Sequence, residues 1–209
     1  LSLLSNTQTK TILKKQKLFM MKKNLYIFLF AFAFLMPAKA QSVFTAAPVV
    51  NGKVVFQQFI HADSGLTVDQ RYSLLYKWGR DNYSGNPLLS GIRFDDKGKS
   101  ITVSSKVELL LPQNSDGVRE KLIMNYRFDA TITNAGCALV IRDITYQNPL
   151  AKGSSLFPKT FSAEETITAE SISSASGADK EFKINTQKGS LYFLNELYND
   201  LSSIFVLNN

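Results

Sequence analysis

The chain has 209 residues, with 24 Lys and Arg against 17 Asp and Glu, a formal net charge of +7. That surplus lies wholly in the first forty residues, which hold seven lysines and no acid, so residues 41–209 balance seventeen basic with seventeen acidic groups. An electroneutral stretch of this length suits one domain burying about 70% of its chain surface, and it lacks the positive excess that nucleic-acid binding demands.

From Met21 the chain runs Lys22-Lys23, an apolar stretch over residues 25–36, then Pro37-Ala38-Lys39-Ala40-Gln41. A basic, then apolar, then small-x-small pattern predicts a secretory signal peptide cleaved after Ala40. The apolar run is shorter than the about 20 residues of a spanning helix, so no stable membrane anchor is expected after cleavage. Residues 1–19 read as an upstream extension, and residues 41–50 as an unstructured lead-in. Cys137 is the single cysteine, which rules out an intramolecular disulfide. It opens an apolar run and reads as a small buried hydrophobe.

A first strand is expected over 53–60. Thr67-Val68-Asp69-Gln70 then has the capping-box form, and Val68, Tyr72, Leu75 and Gly79, widened by Leu74 and Trp78, recur at helical spacing. A strand over 89–95 follows. The clearest signals come next. Over 101–109 the odd positions Ile101, Val103, Val107 and Leu109 are apolar and the even ones polar. Over 122–133 the even positions Leu122, Met124, Tyr126, Phe128, Ala130 and Ile132 are apolar, against Asn125, Arg127, Asp129, Thr131 and Thr133. Both runs predict strands with one buried and one wet face, as in an antiparallel sheet. Asn134-Ala135-Gly136 closes a hairpin to a strand over 137–146. Residues 147–185 are rich in Ser, Ala and Thr and read as a loop. Within it Ser162-Ala163-Glu164-Glu165 suits a short capped helix, and residues 171–177 suit a flexible surface segment. A last helix is expected over 187–205, striped by Leu191, Leu194, Leu197, Tyr198, Leu201, Ile204 and Phe205. The expected fold of residues 51–207 is therefore a single α+β domain, a five-stranded antiparallel sheet with two helices on one face in the order β-α-β-β-β-β-α.

Trp78 late in the first helix, Gly98-Lys99-Ser100-Ile101 entering a strand, Tyr126 in its alternating run, Arg142-Asp143-Ile144-Thr145-Tyr146 and the amphipathic C-terminal helix point to a family. From about residue 53 to 205 the chain resembles the secreted Bacteroidetes domain of unknown function with a TATA-binding-protein-like fold. Where members are glycine-rich after that first segment, this chain reads Thr102-Val103-Ser104-Ser105. The resemblance implies a Gram-negative source and a periplasmic or outer-surface location, and it carries no activity.

Candidate chemistry is sparse. His61 is the only histidine, and although Asp63 and Ser64 follow it, neighbours on one turn do not converge as a catalytic triad does. Asp95-Asp96 precedes Lys97-Gly98 and reads as turn chemistry. No phosphate loop, dinucleotide fingerprint, zinc pattern or nucleophile elbow occurs, so no catalytic, cofactor-binding or metal residue is assigned. The residues favour a non-catalytic binding or accessory module in the envelope, with an unrecognised hydrolase as the alternative. Two helices cover one face of the sheet, so binding is expected on the other. Its candidates are Lys106, Asn125, Arg127, Asp129 and Thr131, with Tyr83 and Tyr146 as aromatic anchors. The partner expected is an envelope protein, peptide or glycan and not nucleic acid.

Overall fold

The structure, a computed structural model, describes residues 42–148 and 159–206. The expected signal segment lies outside the described residues. Among those described, no helix is long and apolar enough to cross a membrane.

A two-residue ribbon comes first, β1 (Val49–Val50) with β2 (Lys53–Val54), followed by β3 (Phe56–His61), α1 (Val68–Tyr83), β4 (Ser90–Asp95), β5 (Ser100–Gln113), β6 (Arg119–Ile132) and β7 (Gly136–Gln147). The chain then forms β8 (Thr160–Ser162) and three helices: α2 (Ala163–Thr166), α3 (Ala169–Ser174) and α4 (Gly177–Ser203). The main sheet is antiparallel with the order β3-β7-β6-β5-β4, and β8 adds beside the second half of β7.

The alternation in the sequence sets the register. Val103 lies opposite Phe128 and Leu109 opposite Leu122 on the covered face, while Ser104 meets Arg127 and Lys106 meets Asn125 on the open one. The covered face is the core, where Ile101, Val103, Met124, Phe128, Leu139 and Ile141 are fully buried. The capping box of α1 forms as expected: Gln70 N–H donates to Thr67 Oγ1 at 3.2 Å, and Thr67 N–H to Gln70 Oε1 at 2.8 Å. Its stripe packs on β4, β5 and β6. Gly79 lets helix and sheet approach closely, since a Cβ there would stand 2.8 Å from Ile92 Cδ1. Trp78 Nε1 donates to Asp200 on α4 at 2.8 Å and ties the two long helices together. Cys137 is buried, and loss of hydration pushes its thiol up to about 12.

Four expectations need correction. The sheet has six strands, because three residues of the Ser- and Thr-rich stretch form β8, too short to show a period. The region 159–185 is largely helical: residues 171–174 belong to α3, and α4 begins at Gly177, ten residues before the expected start. The buried residues of those early turns are Asn185 and Thr186, and Phe182 is the partly buried apolar side chain that packs on the core, so no apolar stripe marks them. The buried hydroxyls of Thr186 and Ser190 are satisfied by donating to carbonyls one turn back, at 2.8 and 2.7 Å.

The strand expected over 53–60 is divided. Lys53 and Val54 belong to the small ribbon, and only Phe56–His61 joins the main sheet. The supposed lead-in is docked rather than unstructured. Phe44 is buried with its ring edge-on to Phe56 at 5.2 Å. The Asn195 amide grips the main chain there, accepting from Val43 and Phe44 N–H at 2.7 and 2.9 Å and donating to Phe44 C=O at 2.9 Å.

Candidate functional site

The open face carries side chains from every long strand, and its centre is a charge network. Asp129 accepts from Thr102 Oγ1 at 2.7 Å and from Arg142 Nη2 and Nε at 2.6 and 3.2 Å. Partial burial raises the Asp129 pKa, but the Thr102 hydroxyl and the Arg142 and Arg127 cations outweigh it and hold the carboxyl below the usual range. Arg142 also meets Asp143 at 3.3 Å. This network stitches β5, β6 and β7 together, so Asp129 holds the sheet and is not free to meet a ligand. Arg127 is left over. Its nearest carboxylate oxygen, on Asp129, is 4.0 Å away, and its Nε–H, buried, has no acceptor among the described residues.

Beside Arg127 the face hollows into a groove of about 480 Å³. One wall is Pro87, Leu88 and Leu89; the rest is Ser90, Gly91, Ser104, Lys106, Asn125, Arg127 and Asp143, with Ser105 and Tyr126 at its margin. The wall is held in place by local hydrogen bonds. Asn86 accepts through its side chain from Leu88 N–H at 3.0 Å and through its carbonyl from Leu89 and Ser90 N–H, both at 3.0 Å. Leu89 C=O in turn accepts from Lys106 N–H at 3.0 Å, which fastens the loop to β5. Leu88 and Leu89 therefore stay 80% and 49% exposed on a pinned turn. Gly91 lies opposite Ser104, and a Cβ there would meet nothing within 4 Å. Lys106 is exposed and forms no ion pair among the described residues.

Of the expected residues, Lys106, Asn125 and Arg127 come together in this groove, while Thr131 lies at the other end of β6, opposite Ser100. The two tyrosines are on the covered side. Tyr83 folds under α1, its ring 5.5 Å from those of Trp78 and Phe128. Burial raises the pKa of its hydroxyl, which shares a hydrogen bond with Tyr126. Tyr146 is fully buried and its hydroxyl meets Ser190 Oγ at 2.8 Å.

A β-bulge explains Tyr146. Cys137, Leu139 and Ile141 point inward at odd positions, and continued alternation would turn Tyr146 outward. Asp143, with φ 55°, inserts one extra residue between the pairs Arg127–Arg142 and Asn125–Thr145, so Ile144 and Tyr146 point inward instead. Groove residues not expected from sequence include Leu88, Leu89 and Gly91. The one available signal was the Asn86-Pro87 turn before two adjacent leucines.

His61 ends β3 with its ring 5.0 Å from that of Phe59. The Asp63 carboxylate accepts from Gly65 N–H at 2.8 Å, and Asp95 accepts from Lys97 and Gly98 N–H at 3.1 and 2.9 Å, so both serve turns. Among the described residues no three His, Cys, Asp or Glu side chains gather to hold a metal ion.

Two solved structures share this fold. A TBP-like protein from Parabacteroides distasonis ATCC 8503 is 25% identical with a TM-score of 0.64, the match covering 76% of this chain and 96% of that one. A DUF4468 family protein from Bacteroides ovatus ATCC 8483 is 19% identical with a TM-score of 0.62, covering 82% of this chain and 97% of that one. No protein-family model matches the chain, and no curated protein does. The chain thus has a TATA-binding-protein-like α+β fold with a mostly antiparallel sheet, and its likeness is to domains of unknown function.

Proposed function

We propose that this chain is an exported, non-catalytic binding module of the bacterial envelope, which engages its partner on the open sheet face at the groove beside Arg127. The observation that carries the reading is the contrast between Asp129 and Arg142, paired at 2.6 Å, and the two neighbouring cations, Arg127, which reaches Asp129 only at 4.0 Å, and Lys106, which forms no ion pair among the described residues. A cation left uncompensated on a pinned surface is positioned for a ligand from outside. Export rests on the three-part leader, and the bacterial source on the resemblance and the organisms of the two similar structures.

Two measurements test the reading. Mass spectrometry of the protein from its native host should find Gln41 at the N-terminus, and an intact leader would defeat the export claim. Replacing Lys106, Asn125 and Arg127 together with Ala should abolish capture of the partner from envelope extract with thermal stability nearly unchanged. Capture that survives the triple change would move the site off this face.

A further inference from the structure

We infer that the groove accepts the free C-terminal end of a peptide, its carboxylate meeting Arg127 and Lys106 and its last apolar side chain resting on Leu88 and Leu89. This rests on the proposed use of the open face and names the ligand chemistry.

The charge balance points to a single negative charge. The charged side chains that line the groove are two cations, Lys106 and Arg127, and one carboxylate, Asp143. The lining therefore carries a surplus of one positive charge. A carboxylate cancels it, whereas a phosphate dianion would overcompensate. The placement agrees. Lys106 is directly opposite Asn125, and Arg127 lies two residues further along the same strand and on the same face, a diagonal of about 7–8 Å that long side chains span. Asn125 supplies an amide between them, held only by a 3.4 Å contact to Thr145 Oγ1.

The wall selects what accompanies the carboxylate. Leu88 and Leu89 are exposed large apolar side chains on a turn fixed by Asn86. A uronic acid would set hydroxyls against them, and Tyr126, the aromatic among the lining residues, is buried and offers a sugar little face to stack on. A peptide end places an apolar side chain within one residue of its carboxylate, matching a wall that adjoins two cations. The volume of about 480 Å³ suits a few residues. The space over Gly91 is open, and its backbone is outside the left-handed region, so a larger side chain there enters the groove without a clash.

The test is calorimetric titration of the full exported chain with acetyl-Ser-Leu-Leu and with its C-terminal amide, galacturonate and inorganic phosphate serving as further probes. The free acid should bind, and the amide should bind at least about tenfold more weakly, as loss of a charge-assisted contact implies. Gly91→Leu should remove binding with an unchanged melting temperature, and Arg127→Gln should weaken it by about tenfold. Equal binding of acid and amide, binding that survives Gly91→Leu, or tighter binding of galacturonate or phosphate would each overturn the inference. If the acid does not bind but the triple Ala variant still loses its envelope partner, the inference fails and the open-face reading stands. If partner capture also survives the triple change, both fail.

Discussion

The two faces of β5 and β6 are built from alternate residues of the same strands, yet they are held by different forces. On the covered face, buried apolar side chains supply the stabilisation, and a polar group such as Tyr146 enters only with a partner in reach. On the open face, charges are matched locally, Arg142 with Asp129 and Lys121 with Glu108 at 2.7 Å, each pair contributing little. The matching is incomplete at Lys106 and Arg93, which form no ion pair among the described residues, and at Arg127, which reaches Asp129 only at 4.0 Å. The binding site proposed above thus sits where the ordinary pairing of a wet face is left incomplete.

Neighbouring substitutions at the centre of β6 give the sharpest test. Phe128→Ala should cost about 3–5 kcal/mol in urea denaturation, since the side chain is fully buried, while Arg127→Ala should leave the midpoint almost unmoved. Equal effects would mean that the faces are not energetically distinct. Asn195→Ala should cost about 1–3 kcal/mol, because the main chain at Val43 and Phe44 loses its buried acceptor. Hydrogen exchange at those two amides should quicken, and unchanged protection would deny the clamp.

The smallest effect belongs to the open face. Asp129 has a lowered pKa when folded, so its contribution is complete above an unfolded value of about 3.9 and disappears as pH falls through the lower folded value. Asp129→Asn should therefore cost about 0.5–1 kcal/mol at pH 7 and nothing in strong acid. A constant difference across that range would assign the loss to packing.

The strands and the capping box of α1 were legible because each leaves a periodic or local signature in the sequence. Lys106, Asn125 and Arg127 were legible as open-face residues for the same reason. What escaped has no such signature. Phe44 docks through an amide 151 residues away, the first turns of α4 bury Asn185 and Thr186 rather than leucines, and β8 is three residues long. The groove wall also escaped, because Leu88 and Leu89 acquire their role only when the loop is fastened to β5. Tyr146, expected as an exposed aromatic anchor, is buried because one inserted residue in β7 turns it inward.

That inserted residue makes its position matter by count rather than by identity. Asp143 is exposed, so a replacement that tolerates its left-handed backbone, such as Asn or Gly, would leave the fold intact. Removing it would restore simple alternation and turn Ile144 and the fully buried Tyr146 toward water, just where the neighbour of β7 changes from β3 to β8. A length change at this single position would thus be as severe as the loss of a core side chain, in a place where comparison by residue type would report only an ordinary surface aspartate.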